Sequence, residues 1–308
     1  MRQLGYHYLT WSAGSINPLM KPNEQFLNQP KYFWANVRSI SQHIGYTARG
    51  TGQIKVPTLE QMCLTMKALD LSSTHLVNAK GRPTDLAETL LAYFEYRADA
   101  LNNYVKGYLM DVRKARVTFQ ELKERLCPTC PIPMNKQKDA KKAEAYFTGI
   151  INMLIEANAE GLPCNYDPRE LTSVTNKGAP LRTLARRVDG AFTKIVNPIA
   201  VWEIKEYYYT TTFGSRVADG VYETLLDGME LEELLEHEKI EVKHYLMVDD
   251  YNTWWNKGRS YLCRIIDMLH MGYVDEALFG REVVERLPDI VKGWVKIARA
   301  RGEQTTLF

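Results

Sequence analysis

Apolar positions recur at helical spacing through the first third of the chain and give way to extended apolar runs in the second half. Phe33 to Ile44 carries its apolar residues at the spacing of one helix face. Thr47 to Gly52, rich in small and polar residues, reads as a loop. Thr58-Leu-Glu-Gln61 matches a capping box and predicts a helix through Met62, Leu64 and Met66. A third helix is expected from Thr84, as cap, to about Val105.

Three prolines within Leu126 to Pro133 exclude regular structure there, and a polar stretch follows. The expected organisation is therefore a mainly helical region, 1–134, followed by a second domain, 135–308. The second domain opens with a predicted helix from about Asp139 to Asn158, its apolar face formed by Ala143, Phe147, Ile150, Ile151, Leu154 and Ile155. Residues 161–179 read as loop, Leu181 to Phe192 as extended, and Ile199 to Tyr209 as a strand entered through a turn at Asn197-Pro198. Ser215 to Leu226 predicts a helix stopped by Gly228, and Glu230 to His237 a second one. Val242 to Val248 predicts a strand, and helices are expected over Gly258 to His270 and about Ile290 to Arg299. This order predicts an α/β fold, a mixed central sheet flanked by helices.

Chemistry enters at the strand Ile199-Ala-Val-Trp-Glu-Ile-Lys205. Side chains alternate across a strand, so Val201, Glu203 and Lys205 share one face while Trp202 and Ile204 take the other. A charged pair on so apolar a strand needs a partner or a metal to offset desolvation. Asp189, fourteen residues before Glu203, is the candidate partner, because a hairpin through Asn197-Pro198 would bring it alongside. Two neighbouring carboxylates favour a hard divalent cation with oxygen ligands.

Val188-Asp189, then thirteen residues, then Glu203-Ile204-Lys205 resembles the PD-(D/E)xK nucleases, the restriction-endonuclease-like family. Valine stands where the family name has proline. The resemblance spans roughly residues 139–280 and implies a restriction-endonuclease-like core. It also implies that Asp189 and Glu203 bind Mg2+ and that Lys205 serves the attacking water. An acid on the helix ahead of the first catalytic strand often joins such sites; Glu144 is the candidate, with Glu156 second. The family's basic residues on the following helix point to Arg216 as a phosphate contact, against its plain reading as a solvated arginine.

Composition changes this picture little. The 308 residues are 45% apolar with a formal charge of +2, enough to bury a large core and too little charge to announce a nucleic-acid binder. The distribution says more: residues 106–194 hold sixteen Lys and Arg against ten Asp and Glu, whereas 219–250 hold eleven acids against two bases. The middle of the chain is thus the part that could face phosphate, against its plain reading as a solvated charged face. In the helical region, Arg49 and Lys55 on the loop Tyr46 to Lys55 have the side-chain types that read phosphates and base edges, although an ordinary connecting loop fits as well.

Five scattered cysteines argue for free thiols in a reducing compartment. Cys127-Pro-Thr-Cys130 has half of a zinc spacing without a second pair. Asp249-Asp250 is expected to cap a helix or lie in a loop rather than form a second acidic centre, and Trp254-Trp255 to pack on the core. Met1 to Met20 lacks the continuous apolar stretch of a signal peptide, and no phosphate-binding glycine loop is present. The expectation is a cytoplasmic, Mg2+-dependent endonuclease on double-stranded DNA, most simply a homodimeric type II restriction enzyme. The alternatives are a repair or phage-defence nuclease of low specificity and a non-catalytic DNA-binding protein.

Overall fold

Short polar side chains begin the helices of the first region by accepting from otherwise unpaired N–H groups. In the computed structural model, which describes residues 21–137, 140–209 and 214–305, Asn23 caps α1 (Glu24–Leu27), Thr58 caps α3 (Leu59–Ala68) and Thr84 caps α4 (Asp85–Asp99). The Thr58–Gln61 capping box forms as expected. Helix α2 (Lys31–Ile44) presents Phe33, Trp34, Val37 and Ile40 to a small core shared with Met62, Met66, Tyr93 and Phe94. The third helix changes to a π-helical stretch, Ala100–Val105, and ends in the short α5 (Lys106–Tyr108). The reading of Met1 to Met20 lies outside the described residues.

Helix α6 (Val112–Leu126), capped by Asp111, is an element that the sequence reading did not anticipate. Its Phe119 and Leu122 belong to the large second core, and Phe119 rests on Gly149, where a Cβ would stand 2.5 Å from the ring. The expected divide at 134/135 therefore separates α6 from elements with which it shares a core. The small core, by contrast, draws its buried residues from Phe26 to Phe94.

The helix expected over 139–158 is shorter. Met134–Gln137 (β1) and Ala140–Glu144 (β2) pair as an antiparallel hairpin, and α7 is Tyr146–Asn158. The apolar run that drives helix burial begins only at Tyr146, and Ala140 to Glu144 is alanine, lysine and glutamate. Asp139 itself lies outside the described residues.

The central sheet is mixed, as expected. Its order is β3 (Cys164–Asn165), β6 (Gly190–Phe192), β7 (Ala200–Glu206), β8 (Lys243–Asp249) and β9 (Glu276–Phe279). Strand β6 runs antiparallel to both its neighbours, while β7, β8 and β9 are parallel. Part of the expected loop and extended segment instead forms a separate hairpin, β4 (Ser173–Asn176) with β5 (Ala179–Thr183). The crossover helices α8 (Ser215–Glu238) and α9 (Arg259–His270) pack on each other. Helix α10 (Glu282–Thr305) packs with α7, and its Trp294 stacks on Trp202 at 5.5 Å.

Two expectations fail for tertiary reasons. Gly228 does not stop a helix; α8 runs through it, because a Cβ there would lie 2.3 Å from the Tyr273 carbonyl oxygen and only glycine allows that approach. Strand β9 was not anticipated and α10 starts earlier than expected, since four fully buried residues offer no alternation to read. Gly190 has the same kind of role as Gly228: its Cβ would meet the Trp202 indole at 2.1 Å. Gly190→Ala is expected to cost about 2–3 kcal/mol by overpacking, read as a lowered urea midpoint; a midpoint equal to wild type would contradict this packing.

Candidate functional site

Register brings the acids together. Gly190 pairs with Trp202 in the antiparallel β6–β7 ladder, so the next position sets Asp189 across from Glu203. The Asp189 N–H donates to the Trp202 carbonyl at 3.1 Å and to Glu203 Oε1 at 3.3 Å, and the Ile204 N–H donates to Asp189 Oδ2 at 2.7 Å. Strand alternation then sets Lys205 beside them: its Nζ lies 2.6 Å from Glu203 Oε2 and 4.0 Å from Asp189 Oδ2. The expected trio converges at the end of β7. On the opposite strand face Trp202 enters the large core, as alternation requires.

Three further residues complete the cluster, and the sequence reading missed all three. Helix α8 delivers Glu223 and, one turn on, Asp227, while the segment before Asp189 delivers Arg186. Arg186 Nη1 lies 2.9 Å from Glu203 Oε1 and 2.6 Å from Asp227 Oδ2, and its Nη2 lies 3.3 Å from Glu223 Oε2. Glu223 Oε2 also stands 3.4 Å from Lys205 Nζ. Gly220 lets α8 come this close, since a Cβ there would lie 3.1 Å from Lys205 Cδ. A readable signal existed: Gly220, Glu223, Thr224 and Asp227 share one face of an amphipathic helix, with acids where apolar residues would be expected.

The electrostatics separate the groups. Burial alone would raise the fully buried Glu203 carboxyl, but Lys205 and then Arg186 outweigh it and hold it below the usual range. For Lys205, burial works against the ammonium, yet Glu203 and Asp189 stabilise it and its pKa is raised. Asp189 is pushed up to about 6, by burial and then by the charge of Glu203. Asp227 is pushed up to about 7 by the same two causes in the same order. The group therefore divides into an ionised glutamate, a firmly protonated lysine and two acids near neutrality.

This donor set suits a divalent cation by charge. Four carboxylates, Asp189, Glu203, Glu223 and Asp227, face two cations, Arg186 and Lys205, which leaves a charge of −2 when all are ionised. Asp227 Oδ1 is buried with no hydrogen-bond partner, and the Asp189 side chain is 42% exposed, open to an incoming ion. Among the described residues no three His, Cys, Asp or Glu side chains stand at ready-made ligand spacing. The fit is thus one of charge and oxygen chemistry, with Arg186 lying on Glu203.

The raised acids fix a pH dependence. The folded pKa values of about 6 and about 7 lie above that of an unfolded aspartate, so between pH 4 and 7 the folded state binds more protons. Stability of the metal-free protein should accordingly fall as pH rises through that window. Asp227→Asn is expected to raise the melting temperature at pH 7.5, with a smaller gain at pH 5, by thermal denaturation in chelator. A variant destabilised equally at both values would refute the charge excess.

The remaining expected residues are placed elsewhere. Glu144 does not lie on a helix; it ends β2, and its carboxylate pairs with Lys123 at 2.8 Å. Glu156, on α7, accepts from the Thr129 N–H at 2.9 Å and from the Thr129 hydroxyl. The acids beside Asp189 and Glu203 are instead Glu223 and Asp227 of α8. Arg216 is exposed on the first turn of α8, where its carbonyl accepts from Tyr207 Oη at 3.0 Å. Arg49 is exposed at the tip of its loop, whereas Lys55 donates to the Ile44 carbonyl at 2.9 Å and is held by its own module. All five cysteines are free. Asp250 Oδ2 accepts from the Thr253 N–H at 2.8 Å, and Trp254 and Trp255 are buried, as expected.

Two family models match the chain. One, described as a domain of unknown function (DUF7687), covers residues 110–294, and another, likewise a domain of unknown function (DUF7690), covers residues 20–104. No curated protein and no solved structure matches it.

Proposed function

From the premise that the chain belongs to the family described as domain of unknown function DUF7687, which assigns no chemistry, we propose that it is a Mg2+-dependent endonuclease of double-stranded DNA with a restriction-endonuclease-like core. The observation that carries this reading is the convergence of Asp189, Glu203 and Lys205 at the end of one strand pair. Asp189 and Glu203 would hold the cation once Arg186 leaves Glu203 Oε1, with Glu223 and Asp227 close behind. When bound, magnesium supplies a polarised phosphoryl oxygen and a water of lowered pKa.

The chain's own residues account for the rest. Lys205, with its raised pKa, acts as a cation that donates to the attacking water or to a phosphate oxygen and neutralises developing charge, rather than as a base. Arg186, half-buried beside Glu203, would remain next to the reacting phosphate once released from it. Arg216 at the start of α8 contacts the phosphate backbone. In-line attack leaves a 5′-phosphate and a 3′-hydroxyl. A cytoplasmic homodimer, cutting both strands of a two-fold site, is the simplest assembly; among the described residues no helix is long and apolar enough to cross a membrane.

One observation favours a non-catalytic DNA-binding protein instead: Arg186 and Lys205 both bond the buried Glu203, a closed ion-pair network. Digestion of defined plasmid DNA with and without magnesium, followed by sequencing of the ends, decides between them. Discrete fragments with 5′-phosphates are expected for a type II restriction enzyme. A smear would point to a repair or phage-defence nuclease, and intact DNA across divalent cations would overturn catalysis.

A further inference from the structure

A cleft of about 380 Å³ lies where the start of α6 meets the start of α10. Arg113, Lys114 and Arg281 line it together with Tyr108, Val117 and Thr118, and no acid is among the lining residues. Arg113 and Lys114 are exposed, and their side chains make no hydrogen bond or ion pair among the described residues; Arg281 lies over the Tyr108 ring at 5.9 Å and pairs with Glu285 at 3.9 Å. Two acids stand beside them, Glu285, which accepts from Tyr108 Oη at 3.3 Å, and Asp111, which accepts from the Arg113 and Lys114 N–H groups at 2.9 and 2.8 Å, so three cations against two acids leave a net positive cleft that concentrates anions.

The position of this cleft gives it a meaning. The Met110 N–H donates to Asp249 Oδ1 at 2.8 Å, the Gly280 N–H to the Val248 carbonyl at 2.9 Å, and the Arg281 N–H to the Tyr108 carbonyl at 3.0 Å. The cleft is thereby pinned to the C-terminal ends of β8 and β9. Lys205 pairs with Val248 in the parallel β7–β8 ladder, so it sits at the same end of the sheet. Strands lie about 4.8 Å apart, which puts the ends of β7 and β9 roughly 10 Å from each other. At about 3.4 Å of rise per nucleotide, a strand lying across the sheet end covers that distance in roughly three steps.

We propose that Arg113, Lys114 and Arg281 form a phosphate-backbone site for duplex DNA, which holds the strand a few nucleotides from Lys205. This rests on the nuclease reading for the identity of the polyanion, but the site's own chemistry is binding without base readout. Two of its three cations, Arg113 and Lys114, fall within residues 106–194, where sixteen bases stand against ten acids.

The test measures anisotropy of a labelled 30-base-pair duplex, in chelator so that no cutting occurs, with wild type, Arg113→Glu/Lys114→Glu and Arg281→Glu. The double reversal should weaken binding at least about tenfold at 100 mM salt and flatten the log K against log salt slope by about 2, near 0.9 per lost phosphate contact. Arg281→Glu should flatten it by about 1. The replaced side chains are exposed, so melting temperatures should stay at the wild-type value and serve as the folding control. Unchanged affinity and slope in both variants, or no duplex binding by wild type, would overturn the site. Tighter binding to duplex RNA, lost in the same variants, would overturn DNA as its occupant. Binding through the cleft by a protein that cuts nothing would leave the site standing and remove the nuclease.

Discussion

Asp189→Asn and Lys205→Met are each expected to lower magnesium-dependent cleavage by a factor of about 10³ or more while leaving duplex binding in chelator intact. Asparagine keeps an oxygen for the Ile204 N–H at Asp189 Oδ2 and removes only the charge, so the strand pairing survives and the cation loses a ligand. Methionine fills the space of Lys205 beside Gly220 and removes the ammonium. Removal of a single preorganised charge stabiliser costs about 10²–10³ in rate, and a metal ligand adds to that. Initial rates of supercoiled plasmid nicking measure both. The assignment fails if either variant cuts at the wild-type rate.

The consequence for fold stability differs between the two. Glu203 is fully buried and has two cationic partners, so Lys205→Met leaves it on Arg186 alone. Destabilisation is therefore expected with Lys205→Met, whereas Asp189→Asn, which removes a carboxylate whose pKa is pushed up to about 6, should hold or raise the melting temperature at pH 7.5. A loss of cutting by Asp189→Asn at an undiminished melting temperature would separate catalysis from folding.

The largest stability effect is expected at the joint between the helical module and the sheet domain. Arg97, 1% exposed on α4, sends Nη1 to both carboxylate oxygens of Asp267 on α9, at 2.9 and 3.1 Å, and Nη2 to Ser41 Oγ at 3.0 Å. Tyr93 Oη adds a bond to Asp267 at 2.6 Å, and the guanidinium lies 4.9 Å from the Phe94 ring centre. Arg97→Met leaves a carboxylate buried with only the tyrosine hydroxyl, a change that costs about 3–5 kcal/mol. The double variant Arg97→Met/Asp267→Asn should recover most of it, because the unpaired charge, not the lost pair, is the penalty. Urea denaturation of the single and double variants reads this coupling, and a single variant within about 1 kcal/mol of wild type would refute it.

What local pattern governs was legible in the sequence. The Thr58–Gln61 capping box and amphipathic faces of the first helices, the strand Ala200–Glu206 and the shared face of Glu203 and Lys205 follow from periods of 3.6 and 2 and from the hydrogen-bonding needs of helix starts. Asp189 was reachable through one turn, because a hairpin fixes which residues face each other.

The rest was decided by contacts far apart in the chain. A glycine that ends a helix and a glycine that lets a helix touch a distant carbonyl look alike in sequence, and only the approach of Tyr273 makes Gly228 the second kind. Glu223 and Asp227 were legible as acids on an otherwise apolar helix face and Arg186 not at all, and none could be assigned to the site, because a charge on a helix or loop says nothing of which strand it will face. The trio Asp189, Glu203 and Lys205 was thus set by strand geometry and register, whereas its surroundings, Glu223 and Asp227 of α8 with Arg186 from the segment before β6, meet it only because α8 folds back over β7. Local periodicity specifies which side chains share a face; the closeness of opposing faces, and with it the pKa values and the charge available for a cation, is a property of tertiary packing.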